Sequence, residues 1–207
     1  DGRIVWIQDA YTRTERYPYS IRAYVDQGPG VLGAQGMGSS LNYIRNSVKI
    51  VTDAYTGKVT FYVFDQTDPI IRSLERAFPG MFHSRDEMPE DLQNHVRYPE
   101  YLFRLQTSVY QTFHMTDTQQ FYNKGDVWAI PSLEQSDSQG DERAPMEPYY
   151  VVMKLPDAPR EEFILLMPFS RANKDNMVAW MAAKCDKDDY GKMVLYEFPK
   201  GEQFFGP

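Results

Sequence analysis

Alternating polar and apolar positions mark the clearest element of the chain, a predicted strand at residues 43–55 followed by a second at 58–65. Alternate residues of the first strand would occupy its two faces, Ile44, Val48 and Ile50 on one and Arg45, Ser47 and Lys49 on the other. Between the strands, Tyr55-Thr56-Gly57 fits a three-residue corner in which Gly57 has a positive φ. The pattern therefore predicts an antiparallel hairpin.

Other periodic segments predict a mixture of strands and helices. Strands are expected at residues 3–10, 149–156, 161–169 and 192–199, and helices at 68–80, 88–96, 98–114 and 173–185. The helix at 68–80 has a clear start signal, because Asp68 fits the N-cap and Pro69 the first helical position. Since no regular βαβ order appears, the sequence predicts an α+β fold with a mainly antiparallel sheet and several helices packed on it.

Two polar segments are predicted to be flexible loops, a glycine-rich one near residues 26–40 and a charged one near 132–148. A chain of 207 residues is long enough for one large domain or for one domain with an appended lobe, and we expect a single soluble domain over residues 1–207. A chain of this length can bury most of its apolar surface without disulfides.

The tetrapeptide Asp-Ala-Tyr-Thr occurs twice, at residues 9–12 and 53–56. Only the second copy is followed by a glycine, and the flanking residues do not match. We interpret the two copies as separate strand ends beside turns, because a structural repeat needs a sustained period. A shared site is the alternative, if the two strands are neighbours.

Composition removes several classes of protein from consideration. The net charge is −7 and no run of basic residues stands out, so a nucleic-acid-binding surface is not indicated. The single cysteine, Cys185, excludes an internal disulfide. The longest apolar run, near residues 163–169, is far shorter than the about twenty residues of a membrane-spanning helix. The 15 Tyr and 12 Phe fit a core of amphipathic rings, with a sugar- or peptide-binding surface as the alternative.

Several segments together resemble one known family. They are "WIQDAYT" with "RYPYS", "NYIRNSVKIVTDAYTGKVTFYVFD", "DPII" with "FPGMF", "MPEDLQNHVRYPEYLF", "YQTFHMTD", "NMVAWMAAKCD" and "DYGKMVLYEFPKG". The likeness runs from Trp6 to Pro207 and therefore covers nearly the whole chain. The chain resembles the uncharacterised protein family numbered 0182, which consists of large multi-pass bacterial membrane proteins.

The resemblance implies a location and partners, and it implies no activity and no cofactor. Members of that family look like proteins with several transmembrane helices near the N-terminus and a large extracytoplasmic region behind them. By this likeness the chain would be a fragment of a larger membrane protein, located at the cell membrane in a region that faces outside the cytoplasm. Its implied partners are the rest of its own membrane-spanning chain and an envelope component.

Four residues are the candidates for catalysis: His95, Arg97, His114 and Asp117. Asp117 follows His114 by three residues at a predicted helix end, where its carboxylate would orient the imidazole. The alternative is a histidine placed beside the last carbonyl groups of its helix, which is favourable without any catalytic role. No nucleophile motif and no compact zinc-binding spacing occurs, so the sequence does not identify an enzyme.

One acidic segment partly matches a calcium-binding loop. Asp186, Asp188 and Glu197 stand at loop positions 1, 3 and 12, after a predicted helix. Tyr190 stands where an oxygen ligand is expected, and residues 192–199 are predicted to be a strand. The alternative is an acidic turn with Gly191 in the left-handed conformation. We expect the turn, and we keep calcium as the candidate cofactor.

Two hypotheses of function follow. The first is a non-enzymatic, extracytoplasmic binding or structural domain, favoured by the family likeness and by the lack of a catalytic motif. The second is a cell-envelope hydrolase acting on glycan or peptide, which would use the four catalytic candidates. A convergent cleft around those four residues would favour the second hypothesis.

Overall fold

The computed structural model describes residues 2–24, 40–134, 143–156, 158–172, 176–199 and 204–205. The chain divides into two compact units, Asp1–Leu102 and Phe103–Pro207. Each unit is built on a mainly antiparallel sheet accompanied by helices, which confirms the predicted α+β class. A single domain over the whole chain stays a prediction. No described helix is long and apolar enough to cross a bilayer.

The first unit is organised around a four-stranded sheet with the order β1-β4-β5-β6. Its elements are β1 (Val5–Thr14), β2 (Ala23–Tyr24), β3 (Ser40–Leu41), β4 (Tyr43–Asp53), β5 (Val59–Val63), α1 (Pro69–Ala77), β6 (Phe82–Ser84), a 3-10 turn (Arg85–Glu87), α2 (Glu90–Gln93) and the start of α3 (Glu100–Phe113). The strand predicted at 3–10 is confirmed and extends to Thr14. All pairs in this sheet are antiparallel except β5 with β6.

A bulge in β4 changes which of its residues share a face of the sheet. Ala10 pairs with Val48 and Thr12 with Arg45, so two residues of β4 stand opposite one residue of β1. Ala10 and Thr12 share a face of β1 because they are two residues apart. Arg45 therefore shares a face with Val48. The predicted grouping of Arg45 with Lys49 is wrong, because simple alternation stops at the bulge.

Helix α1 begins at the predicted N-cap, Asp68, and covers part of one sheet face. Ile71 is 1% exposed and packs with Val48 and Val63. The apolar stripe of α1 then continues past the covered region, because Leu74 and Phe78 are exposed. The apolar face of the helix is therefore longer than the part of the sheet that it covers.

The hairpin end of the same sheet face is left open. Trp6 lies opposite Thr52, and Thr52 lies opposite Val59 on the other side. Trp6 is 63% exposed and Val59 is also exposed. We call Trp6, Thr52 and Val59 the open row. It lies partly on β1, one of the two edge strands of the sheet as described.

The predicted hairpin between β4 and β5 is confirmed. The strands pair antiparallel, with Thr52 opposite Val59, and Gly57 has φ +68°. The loop has four residues, 54–57, because the N–H of Asp53 donates to the carbonyl of Lys58 at 2.9 Å. The predicted three-residue corner is therefore wrong by one residue, and its glycine is correctly placed.

Gly57→Val should destabilise the first unit through its backbone alone. A Cβ at this position would meet no heavy atom within 4 Å, so crowding cannot contribute. Holding valine at positive φ should lower the free energy of unfolding by about 1–3 kcal/mol. Gly57→Asn is the matched control, since asparagine tolerates this conformation better. Urea melts of the two variants decide the matter, and equal midpoints would contradict the assigned turn.

The two copies of Asp-Ala-Tyr-Thr have different structural roles. Residues 9–12 lie inside β1, so the interpretation of this copy as a strand end is wrong. Residues 53–56 enter the hairpin turn, where Asp53 Oδ1 accepts from the N–H groups of Tyr55 and Thr56 at 2.9 Å. The strands are neighbours, yet Asp9 pairs with Lys49 while Asp53 pairs with Val5. The two aspartates thus lie at different levels of the ladder and do not share a site.

The second unit contains a sheet with the order β10-β11-β12-β13, extended by β7 beside β11 and by β14 beside β12. Its elements after α3 are α4 (Thr118–Asn123), β7 (Trp128–Ala129), β8 (Ser132–Glu134), β9 (Arg143–Pro145), β10 (Tyr149–Lys154), β11 (Glu161–Arg171), β12 (Asn176–Lys184), a 3-10 turn (Lys187–Asp189), β13 (Met193–Glu197) and β14 (Phe204–Phe205). The strands predicted at 149–156, 161–169 and 192–199 and the helices at 88–96 and 98–114 are confirmed.

The helix predicted at 173–185 is wrong, because β12 occupies that part of the chain. This strand lies between β11 and β13, and Ala179, Ala182 and Ala183 are fully buried. A strand buried on both faces needs no polar–apolar alternation. A continuous apolar run such as residues 177–183 cannot be distinguished from a buried helix by periodicity. Pairing with two neighbouring strands decided the conformation.

The two predicted loops have different outcomes. The loop near 26–40 lies outside the described residues except for Ser40, which is in β3. The loop near 132–148 is wrong at both ends, because β8 and β9 pair antiparallel there. Residues 135–142 between these strands lie outside the described residues. Each of these strands has three residues, one of them charged (Glu134 or Arg143), so the sequence showed no strand pattern there.

Candidate functional site

A buried carboxylate lies at the centre of the polar groups in the first unit. Asp68 is fully buried, and its Oδ1 accepts from the hydroxyl of Tyr43 at 2.7 Å and the N–H of Ile70 at 3.0 Å. Its Oδ2 accepts from the hydroxyls of Thr12 at 2.5 Å and Ser47 at 2.6 Å. We call Thr12, Tyr43, Ser47 and Asp68 the Asp68 cluster. It joins β1, β4 and the start of α1.

Local sequence explains how these four side chains meet. Asp68 is fixed by its N-cap role, in which its carboxylate accepts from the N–H of Ile70 at the start of α1. The β4 bulge allows Ser47 to reach this helix start together with Thr12 of β1. The cluster therefore results from one capping signal and one irregularity of strand pairing.

The electrostatics of the cluster favour a charged Asp68 and a neutral Tyr43. Burial alone raises the pKa of Asp68, but the hydrogen bonds from Ser47, Thr12, Tyr43 and the Ile70 N–H together hold it below its usual value. Burial and the hydrogen bond to Asp68 raise the pKa of Tyr43 to about 12. At neutral pH the phenol is thus a donor and the carboxylate an acceptor.

This arrangement leaves Asp68 little capacity for chemistry. An ionised carboxylate has about four acceptor positions, and four donors already occupy them. A substrate proton or a metal ion would have to displace one of those donors. The arrangement is therefore suited to holding strands and helix together.

Arg45 lies beside this cluster and forms its partly exposed rim. One guanidinium nitrogen, Nη1, donates to Asp65 Oδ2 and to the hydroxyl of Thr67, both at 2.9 Å. The guanidinium carbon also lies 5.6 Å from the centre of the Tyr43 ring. Although burial alone raises the pKa of Asp65, hydrogen bonds from Thr67 and Arg45 hold it below its usual value. Arg45 is therefore already engaged on three sides.

The opposite face of the same sheet buries a lysine. Lys49 is 1% exposed, and its ammonium group forms an ion pair with Asp9 and donates to the carbonyl of Arg97 at 3.1 Å. It also lies 5.8 Å from the ring centre of Phe64. A buried ammonium group needs such partners, because an unpaired charge is costly away from water. The two faces of the sheet thus carry separate polar contacts.

The second unit also contains a buried lysine with acidic partners. Lys184 Nζ lies 2.9 Å from Glu162 Oε1 and 3.2 Å from Asp189 Oδ2. Hydrogen bonding to Glu162 raises the pKa of Lys184, although burial opposes this. The other oxygen of Glu162, Oε2, is buried without a hydrogen-bond partner among the described residues. Lys184 is therefore the partner of one of the two carboxylate oxygens of Glu162.

The catalytic candidates of the first unit, His95 and Arg97, are both exposed. The carbonyl of Arg97 accepts from Lys49, so the segment contributes a main-chain group to the burial of that lysine. The N–H of His95 donates to the carbonyl of Leu92 after α2. A catalytic role for either side chain stays a prediction.

The candidates of the second unit, His114 and Asp117, have separate partners. Nδ1 of His114 lies 3.1 Å from the carbonyl of Tyr110, and its ring stacks on Trp128 with centres 3.8 Å apart. Asp117 caps α4 by accepting from the N–H of Gln120 at 2.8 Å. The predicted orientation of His114 by Asp117 is wrong, because Nδ1 faces the Tyr110 carbonyl and the other ring nitrogen, Nε2, has no hydrogen-bond partner among the described residues. The alternative, a histidine beside the last helix carbonyls, is confirmed.

The calcium candidates lie on different parts of the acidic turn. Asp186 Oδ2 accepts from the N–H of Phe163 at 3.2 Å, and Asp188 lies 4.0 Å from Arg160. Glu197 is exposed at the end of β13. The segment before the turn is strand β12, so the predicted helix of the calcium-loop pattern is wrong. In the part of the chain that the structure describes, no group of three or more His, Cys, Asp or Glu could hold a metal ion.

Saturating calcium should therefore leave the thermal melting of the chain unchanged. Calcium prefers six or more oxygen ligands, and one oxygen of Asp186 is already engaged in a main-chain hydrogen bond. Magnesium at the same concentration is the control for general screening of the −7 charge. A calcium-specific rise in melting temperature that disappears in Asp186→Asn with Glu197→Gln would establish a site here.

Sequence reasoning missed the groupings around Asp68 and Lys184. The N-cap signal located Asp68, but Thr12 and Ser47 are 56 and 21 residues away in sequence. A polar residue at every second position of β4 was visible, and it gave no indication that the side chains are buried. The sequence predicted a helix where β12 lies, and therefore did not indicate that Lys184 is buried beside Glu162.

A comparison with protein-family models matches residues 1–207 to the uncharacterised protein family UPF0182. The chain belongs to this family. UPF0182 proteins similar to it include one from Methanospirillum hungatei, 47% identical over 207 residues, and one from Pelotomaculum thermopropionicum, 45% identical over 207 residues. A third, from Trichodesmium erythraeum, is 43% identical over 212 residues.

The matched UPF0182 proteins are much longer than this chain. The alignments cover 100% of the chain but only 22%, 21% and 23% of those three relatives. The chain thus spans less than a quarter of the length of these curated relatives. No solved structure matches it.

Proposed function

We propose that this chain is a non-enzymatic binding or structural domain in the extracytoplasmic region of a large multi-pass membrane protein. The non-enzymatic part of this proposal rests on Asp68. Its carboxylate accepts four hydrogen bonds inside the unit, so all of its acceptor positions are occupied. Lys49 and Lys184 are likewise engaged with acidic partners. Buried charges arranged in this way hold a fold together, and Asp68 has no acceptor position left for a substrate proton.

The open row supports a role in binding the rest of the same polypeptide. Trp6 is 63% exposed on an edge strand, and Val59 is exposed in the same cross-strand row. An exposed tryptophan on an edge strand is typical of a surface that packs against another segment. The relatives are more than four times as long as this chain, so the remainder of such a polypeptide can supply that segment.

Cysteine labelling in the full-length protein tests the location. Tyr122 is 84% exposed and Cys185 is 3% exposed, so Tyr122→Cys introduces one reactive thiol into this chain. All cysteines outside this chain are replaced, and intact cells are treated with a membrane-impermeant maleimide. We expect labelling of Tyr122→Cys before lysis. Labelling only after lysis would contradict an extracytoplasmic location.

A second labelling experiment tests the docking of the open row. Trp6→Cys should react in the isolated 207-residue chain and be protected in the detergent-solubilised full-length protein. Tyr122→Cys is the matched control and should react in both. Equal reaction of Trp6→Cys in the two proteins would show that the rest of the polypeptide does not cover this row.

A further inference from the structure

A loop between β1 and β2 exposes three apolar side chains in alternation. Tyr17 and Ile21 are 52% and 51% exposed, and Tyr19 is 109% exposed, as in a free peptide. We call residues 15–22 the aromatic loop. A side chain exposed to this extent is not covered by neighbouring residues, so Tyr19 points out into the solvent.

The main chain of the aromatic loop is held in place by Asn42. The side-chain oxygen of Asn42 accepts from the N–H of Tyr17 at 3.0 Å, and its amide donates to the Tyr17 carbonyl at 2.6 Å. The hydroxyl of Ser20 donates to the Asn42 carbonyl at 2.8 Å. Tyr19 between them has φ +57°, an unusual backbone conformation for a bulky residue. Such a conformation persists only where surrounding contacts enforce it.

The base of the loop is connected to the Asp68 cluster. The ring of Tyr17 stacks on that of Tyr43, with centres 5.4 Å apart and planes 21° apart. The hydroxyl of Tyr43 is in turn bonded to Asp68. The loop that carries Tyr19 and Ile21 is therefore connected at its base to the hydrogen-bonded Asp68 cluster.

The loop and the end of β1 carry positive charge, although the whole chain is acidic. Three exposed arginines, Arg13, Arg16 and Arg22, accompany a single acidic residue, Glu15, whereas the chain has a net charge of −7. Among the described residues, these three arginines form no ion pair. Local positive charge on an acidic protein favours approach to an anionic surface and fixes its orientation.

We infer that the aromatic loop is an interfacial anchor that binds the headgroup region of an anionic lipid bilayer. Tyrosine rings are favoured at the membrane–water interface, where the ring is in an apolar layer and the hydroxyl in a polar one. Arginine side chains beside them bind lipid phosphates through paired hydrogen bonds. Two projecting apolar side chains, Tyr19 and Ile21, suit a fluid surface better than a protein partner, which usually buries about 800 Å² per side.

Flotation of the 207-residue chain with lipid vesicles tests this inference, which does not depend on the location or the docking proposed above. We expect binding to vesicles of phosphatidylcholine with one quarter phosphatidylglycerol, and much weaker binding to phosphatidylcholine alone. High salt should reduce the binding, because the charge contribution is screened. Failure to bind the anionic vesicles at low salt would overturn the inference.

Two double variants locate the binding surface. Arg16→Gln with Arg22→Gln should weaken binding about fivefold for each arginine at low salt, and Tyr19→Ser with Ile21→Ser should weaken it at least about tenfold. Tyr122→Ser and Arg160→Gln are the matched controls, since both residues are exposed on the other unit. Unchanged circular dichroism is required of each variant. Equal losses in the controls, or none in the loop variants, would overturn the assignment.

A fluorescent label distinguishes lipid insertion from self-association. In Tyr19→Cys, an environment-sensitive dye attaches at position 19 because Cys185 is buried. We expect its emission to shift to the blue on adding anionic vesicles and to remain unshifted at high protein concentration without lipid. A shift caused by protein concentration alone would identify the loop as a contact between copies and would overturn membrane binding.

Discussion

Asp68→Ala should cause the largest loss of stability in the first unit, about 3–5 kcal/mol in the free energy of unfolding. The substitution removes an N-cap and leaves the hydroxyls of Thr12, Tyr43 and Ser47 without their shared acceptor. Buried donors that lose a charged acceptor contribute their desolvation cost in full. Urea unfolding followed by hydrogen exchange of β4 amides measures the loss in this unit.

The pH dependence of stability provides a second readout for Asp68. Because its pKa is lower in the fold than in the unfolded chain, the stabilisation is complete above the unfolded value of about 4. It is then lost as the pH falls through the lowered pKa. Below about pH 4, the free energy of unfolding should therefore fall more steeply with decreasing pH in the wild type than in Asp68→Ala. Asp188→Asn, at an exposed aspartate, is the control and should change stability by less than about 0.5 kcal/mol. A small effect of Asp68→Ala would mean that the four hydrogen bonds are not formed in solution.

Lys184→Met should destabilise the second unit by about 3–5 kcal/mol, because it leaves the buried charge of Glu162 without its partner. Lys184→Met combined with Glu162→Leu should recover most of this loss, since an apolar pair of similar volume can replace a buried ion pair. Lys192→Met, at an exposed lysine that contacts the same Asp189, is the matched control and should have little effect.

Alkaline pH tests the same ion pair without a mutation. The pKa of Lys184 is raised in the fold, so its stabilisation is complete below the ordinary lysine value of about 10.4. The stabilisation is lost as the pH rises through the raised value. The alkaline limb of the stability profile should therefore be shallower in the double variant. A double variant no more stable than Lys184→Met would show that Glu162 is not the group left uncompensated.

Short-range signals in the sequence determined much of the first unit. The cap at Asp68, the helix start at Pro69 and the positive-φ glycine at Gly57 each depend on a few neighbouring residues, and all three are correct. Alternation located β4 and β5 for the same reason, because a half-buried strand shows its two faces in its own residues. The antiparallel α+β class followed from these elements.

Only the tertiary structure decided which polar residues are buried together. The β4 bulge is a property of two strands, so neither sequence segment alone showed that Arg45 moves to the face of Val48. Strand β12 has no alternation because neighbouring strands bury both its faces, and its conformation depends on those neighbours. The partners of Asp68 and Lys184 come from distant parts of the chain, 56 and 22 residues away in the longest cases. Long-range contacts of this kind are formed by the folded chain as a whole and leave no local pattern in the sequence.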